Sequence, residues 1–270
     1  MSKEFKPSNF LSLFYLFLIG FFFSENSSFS QDASPYILIA HRGGVVSEDA
    51  PENSLAALQE AIDRGYYMVE IDMRLTKDSV LITQHDPHFR KYFDTDRLVS
   101  DMTWKEIQSL KHPSGYRVLL LEEVLAHCQG KIQVMLDNKI AGMDEKLFTK
   151  VVDLLKKHEL DKDALMIGTS ASTEFFTGKI RLSCTRSQLE VNQIRADYSS
   201  DHYYLFAREI SKEDVDWAEA RGIMTVAAIN SFTFPQENLM EAARQKTQEL
   251  KENGVIRFQI DGIFEEFFRE

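Results

Sequence analysis

Residues 36–41 read Tyr-Ile-Leu-Ile-Ala-His, and residues 67–74 read Tyr-Met-Val-Glu-Ile-Asp-Met-Arg. A run that is apolar at nearly every position has both faces buried, as in a parallel sheet covered by helices; an antiparallel sheet with one wet face would alternate. Residues 36–40 are therefore expected to open such a sheet. Between the two runs, residues 54–64 place Leu55, Leu58, Ala61 and Ile62 on one helical face and stop at Gly65. Strand, helix, strand is the repeating unit of an α/β chain.

The alternation continues with strands at 80–84 and 131–136 and helices at 121–129 and 144–158, the latter with Leu147, Val151, Leu154 and Leu155 inward. Further strands are expected at 165–168, 182–185, 203–207, 224–229 and 259–263. Ser211 and Asp214 form a capping box ahead of a helix reaching Ala220, and a helix over 238–253 is closed by Gly254. Residues 170–200 lack a clean period, so irregular connections and a short aromatic helix near Phe175 are expected there. About eight strands separated by helices over roughly 235 residues predict an α/β fold, a (β/α)8 TIM barrel spanning 31–270 as a single domain.

The chain has 270 residues, 44% hydrophobic and 27% charged, with a formal charge of −11. That acidity argues against nucleic acid as a partner, because phosphate-backbone binding draws on a basic excess. Lys3 and Lys6 precede an apolar run at 10–23 and then a small, polar stretch with Ser28 and Ser30. This layout predicts a secretory signal peptide over 1–30 and a secreted or periplasmic mature protein, with an uncleaved anchor as the alternative. The run is short of the roughly 20 residues that cross a bilayer, so no stable membrane span is expected in the mature protein. Cys128 and Cys184 are the two cysteines. They are expected either to pair or to stay as buried thiols, and their spacing offers no zinc motif.

In a barrel of this kind the chemistry sits where strands end. His41 follows the first strand, Glu70 and Asp72 lie in the second, His85 follows 80–84, and Asp137 follows 131–136. Glu70 and Asp72, two apart, share one face of a strand with about 7 Å between them, and two inward carboxylates there call for a cation. Oxygen ligands of this type suit Ca2+ or Mg2+. His41 and His85 at one barrel mouth would supply an acid and a base near neutral pH. Arg42 offers a fork, and Lys139 a point charge, for a phosphate.

The runs His41-Arg42-Gly43, Pro51-Glu52-Asn53-Ser54, Glu70-Ile71-Asp72, Leu75-Thr76-Lys77-Asp78 and His85-Asp86 resemble, in order and spacing, the glycerophosphodiester phosphodiesterase family. The likeness continues through 103–110, 121–125 and the Asp137-x-Lys139 pair, and is looser from residue 160 onward. The resemblance implies a barrel in which Glu70, Asp72 and Asp137 hold a divalent cation. His41 and His85 would be the catalytic pair, and Arg42 and Lys139 would grip the phosphate of a small glycerophosphodiester, giving glycerol phosphate and an alcohol. It also implies a short insertion at 87–118 that shapes the substrate end.

The chain departs from the family pattern at several positions. Asp137 stands where Glu is usual, Ser79 where Gly is usual, and Lys91 and Arg97 where Arg and Gly are expected. A Trp-Thr pair near the seventh strand is replaced within 227–230, and a Thr-Asp pair after the last strand by Glu265-Glu266. Two other readings stay open. One is a lipid phosphodiesterase of the phospholipase D or sphingomyelinase type, for which Phe89, Tyr92 and Phe93 would be an apolar rim or simply the packing of the insertion. The other is a binding protein that has kept the barrel without turnover.

Overall fold

The computed structural model describes Met1 and residues 34–269. Apart from Met1, the expected signal peptide lies outside the described residues. The strands are β1 (Ile37–Ala40), β2 (Met68–Leu75), β3 (Leu81–Thr83), β4 (Leu119–Leu120), β5 (Gln133–Asn138), β6 (Leu165–Ile167), β7 (Arg181–Cys184), β8 (Tyr203–Ala207), β9 (Met224–Ile229) and β10 (Arg257–Ile260). Eight of them run parallel in the order β1-β10-β9-β8-β7-β6-β5-β2, and β1 pairs with β2 to close the ring. The closing register sets Ile39 beside Met68 and Ala40 beside Val69.

The apolar runs have two jobs, divided by the pleat. Alternate residues face opposite sides of a strand, so Ile39, Met68, Met135, Leu165, Tyr204 and Val226 meet inside the barrel. Ala40, Val69, Val134, Leu136, Ala227 and Phe258 pack outward with the helices. The helices are set by caps and stripes. Ser54 accepts a hydrogen bond from the Ala57 amide to start Leu55–Asp63, which buries Ala57, Leu58 and Ala61. Asp144 does the same for Glu145–Lys157, whose buried face includes Phe148 and Val152 as well as the four expected residues. Each such fully buried large side chain contributes about 2 kcal/mol of transfer energy.

Two expectations need correction. Residues 80–84 do form a strand, but β3 is not a barrel stave. It folds back antiparallel on β2, Met73 opposite Thr83, and then pairs with β4. The reversal comes from a tight turn. The Thr76 amide donates to the Val80 carbonyl, the Val80 amide donates to Thr76 Oγ1, and Ser79 sits at φ 60°, in the left-handed region where glycine is the easier occupant. Second, residues 170–200 are more regular than expected. Besides the short helix Thr173–Phe176 there is a helix Arg186–Asn192, opened by a capping box between Thr185 and Gln188. It buries Leu189 alone, which is why it shows no periodicity.

Residues 87–118 carry the short helices Arg90–Phe93 and Trp104–Gln108, and Phe89, Val99, Met102, Ile107 and Val118 form with Ile82 of β3 a core separate from the main one. Phe89 is buried, Phe93 stacks on Tyr116, and Tyr92 meets Tyr116 edge-on, so these aromatics pack the insertion and do not form a rim. Cys128 and Cys184 are both free, buried thiols. Burial pushes the Cys128 thiol up to about 12 and the Cys184 thiol up to about 11. Among the described residues no helix is long and apolar enough to cross a membrane.

Candidate active site

Parallel pairing of β2 with β5 sets Asp72 level with Asp137 and Glu70 level with Met135. Three carboxylates therefore converge at the strand ends, with one oxygen each of Glu70, Asp72 and Asp137 within 4.8 Å of one another. Glu70 and Asp72 are fully buried. Asn53 Nδ2 donates to one Asp72 oxygen at 3.0 Å, and the Arg42 amide donates to Glu70 Oε2 at 2.7 Å, while Glu70 Oε1 is buried with no hydrogen-bond partner. Burial, followed by the charges of Asp72 and Asp137, raises the Glu70 carboxyl well above the usual carboxylate range. Asp137 is also raised, by burial first, although Lys139 opposes the shift. Three like charges with an orphaned oxygen fit a hard divalent cation.

Lys139 does not reach out to an open phosphate pocket. Its ammonium lies 2.6 Å from Asp137 Oδ2 and 3.3 Å from Asp72 Oδ1, so it supplies positive charge to the carboxylates. Those two acids outweigh the burial that would lower it and raise its proton affinity.

His41 ends β1 beside the acids. Its Nδ1 is 2.6 Å from Asp261 Oδ1, and its Nε2 is 4.0 Å from Glu70 Oε2. Asp261 also accepts from the Ser231 amide at 2.6 Å. Burial works to raise the Asp261 carboxyl, but the hydrogen bonds and charge from His41 and Ser231 leave it below its usual value. Asp261 is thus a carboxylate suited to accept from Nδ1–H, which leaves Nε2 on the side of Glu70. His85 repeats the arrangement on a different support: Nδ1 is 2.8 Å from Asp86 Oδ1. Because β3 runs antiparallel, His85 arrives from the hairpin, and Arg74 fixes it there by donating to its carbonyl from Nη2 at 2.6 Å.

Glu52 joins the two sides. Buried itself, it accepts from Arg42 Nη1 at 2.9 Å and Lys91 Nζ at 2.6 Å, and it offers an oxygen within 4.8 Å of ligand atoms of His85 and Asp86. The turn that brings these groups together is strained: Arg42 and Asn53 both have φ 56°. At Gly43, φ 81°, a Cβ would lie 2.5 Å from the Asn53 Cα, so this position excludes a side chain. Beside His41 and Arg42 opens a cleft of about 220 Å3. Phe232, 65% exposed, and Ile263, 49% exposed, line it, and the Phe232 ring centroid is 6.3 Å from that of His41.

A profile of the glycerophosphoryl diester phosphodiesterase family matches residues 41–256. The chain belongs to this family. A human relative, glycerophosphodiester phosphodiesterase 1, is 34% identical over 99 residues, covering 33% of this chain and 29% of the relative. A glycerophosphodiester phosphodiesterase of Caldanaerobacter subterraneus subsp. tengcongensis is 38% identical over 74 residues, covering 27% and 30%. The chain thus matches less than a third of the length of either. Among solved structures, a glycerophosphoryl diester phosphodiesterase of Parabacteroides distasonis superposes with a TM-score of 0.65 at 25% identity, covering 84% of this chain and 82% of that one. An Oleispira antarctica phosphodiesterase, solved in complex with the product sn-glycerol-3-phosphate, gives 0.66 at 20% identity, covering 87% and 97%. The barrel is that of the family.

Of the residues singled out from sequence, Glu70, Asp72, Asp137, His41, Arg42 and Lys139 meet at one barrel mouth, and His85 joins them from the hairpin. Asp261 was missed because 259–263 was read as one strand; β10 stops at Ile260, and Asp261 is then the polar residue that follows a strand. Glu52 and Asn53 stood in the motif without assigned roles. Two departures from the family pattern prove remote from the acids: Glu265 pairs with Arg64 and Arg269, and Arg97 with Glu106.

Proposed function

We propose that this protein hydrolyses glycerophosphodiesters to glycerol phosphate and an alcohol, with a divalent cation held by Glu70, Asp72 and Asp137. The observation that carries the reading is the convergence of those three carboxylates, one of them with an orphaned oxygen, between two imidazoles each backed by an aspartate. Ca2+ or Mg2+ at that position would neutralise charge on the phosphate and acidify a coordinated hydroxyl. His41 and His85 divide the proton traffic: one takes the proton of the attacking hydroxyl, whether the substrate's own or water's, and the other protonates the departing oxygen. Asp261 and Asp86 keep each ring in one tautomer. Arg42, fixed on Glu52 through Nη1, and Lys139, displaced from Asp137 toward the substrate, bind the phosphate oxygens.

The test is turnover of a panel of glycerophosphodiesters by the purified protein. Hydrolysis that a chelator abolishes and Ca2+ or Mg2+ restores supports the reading. Binding without turnover under both metals would replace it with the binding-protein alternative. A second reading, a lipid phosphodiesterase, draws on Phe232 and Ile263, whose exposed apolar surface borders the cleft. Faster turnover of lysophospholipids or sphingomyelin than of any small diester would select it. Secretion, or release into a periplasm, belongs to the same proposal and is checked by the N-terminal sequence of the mature protein.

A further inference from the structure

The end of the barrel where the strands begin holds a second pocket, about 270 Å3 in volume, lined by Ile37, Tyr67, Met68, Arg181, Met224 and Arg257 among others. On β10, Phe258 and Ile260 pack outward, so Arg257 and Gln259 face the lumen; Gln259 Nε2 lies 3.8 Å from the Met135 sulfur there. On β7, Leu182 and Cys184 pack outward, which turns Arg181 to the same interior. Two guanidinium groups thus enter one cavity from below. The layer of Ile39, Met68, Met135, Leu165, Tyr204 and Val226 closes the lumen above them.

The Arg257 guanidinium makes no hydrogen bond or ion pair among the described residues. Burial lowers its proton affinity, and Arg181 lowers it further, with only the Tyr67 hydroxyl acting the other way. Arg181 is half engaged: its Nε donates to the Asp201 carbonyl at 3.1 Å, and its Nη2 is 3.6 Å from an Asp201 carboxylate that is 81% exposed. Lys162 and Asp163, both exposed, complete the lining with opposite charges. Two like charges that cannot lose their protons, set in a half-buried pocket of mixed polarity, call for an anion between them.

We propose that this pocket binds a phosphate group, bridged by the forks of Arg181 and Arg257, with any short apolar remainder resting on Ile37, Met68 and Met224. The site is separate from the acid cluster and does not depend on the proposed hydrolysis. Calorimetric titration of inorganic phosphate into the full chain, at fixed ionic strength set with chloride, tests it. The wild type should show one binding event more than Arg257→Gln, with turnover of any substrate the same within about twofold. Arg257→Lys, which keeps the charge and loses the fork, should bind about tenfold more weakly. Phosphate should raise the melting temperature of the wild type more than that of Arg257→Gln, which also shows that the variant is folded. Glycerol phosphate binding more tightly than inorganic phosphate points to an organic monoester as occupant, and equal affinity to phosphate itself. Identical stoichiometry in wild type and Arg257→Gln, or a thermal shift that chloride reproduces, overturns the proposal, as does a response to acetate alone.

Discussion

The two ends of the barrel lumen are built by the same strands and carry opposite charge. On β10 a single alternating face runs from Arg257 at the lower end, through Gln259, to Asp261 just past the upper end. The upper end gathers Glu70, Asp72, Asp137 and Asp261, with Lys139 beside Asp72 and Asp137 and the His41 ring on Asp261. The lower end gathers Arg181, Arg257 and Lys162, answered by the exposed carboxylates of Asp163 and Asp201. Between them lies a buried layer of six side chains. The chain as a whole is acidic, at −11, so bulk charge does not dictate this pattern; the register of each strand does. Hydrophobic residues fix the middle of the cylinder and free both rims for polar chemistry.

If the upper end is the reactive one, the largest effect comes from the imidazoles. His41→Ala and His85→Ala should each lower kcat by a factor of about 10² to 10⁴ while circular dichroism stays native. Near-normal turnover in either variant ends its assignment. Asp261→Asn should follow, with a loss of about 10- to 100-fold, because Nδ1 of His41 loses its acceptor. It also has a signature in stability. The folded carboxyl lies below its usual value, so its stabilising contribution is present above the ordinary aspartate range and is lost as pH falls through the lowered value. Thermal melting of Asp261→Asn should therefore show a shallower acid limb below about pH 4; an unchanged limb would mean the His41 contact adds nothing.

Smaller in scale is Asp137→Asn, which keeps shape and removes a charge. The metal concentration for half-activation should rise about tenfold or more, with partial recovery at high metal. Asp137→Glu should keep activity. An unchanged activation curve would leave Asp137 as a partner of Lys139 alone. The smallest effect belongs to the middle layer: Ile39→Val should cost about 1 kcal/mol in denaturant unfolding and leave kcat alone. A change in turnover there would show that the two ends communicate through the lumen.

The barrel was legible because its strands are largely apolar and most of its helices striped, and those patterns carry over directly into packing. Direction was not. Residues 81–83, Leu-Ile-Thr, are as fully buried as any stave, and what turns them back is the Thr76–Ser79 turn, which depends on a backbone angle that serine adopts against its preference. The candidate residues at strand ends could be picked out as types, but their partners come from other parts of the chain. Asp261 is 220 positions from His41. Lys139 is aimed at a phosphate by its place and by the resemblance; its ion pairs with Asp72 and Asp137 could not be read from either.

The hairpin strand that delivers His85 and the insertion after it share an apolar centre around Ile82, Phe89, Met102 and Ile107, apart from the main core. One imidazole is thus borne by the cylinder and the other by a small annex with independent packing, the two being riveted together by Glu52 through Arg42 and Lys91. Such a seam separates two kinds of heredity. Sequence drift inside the annex would repack the side chains around Phe89 without touching the cylinder's core, whereas drift at Glu52 would remove the tie to Arg42 and Lys91 that joins the two.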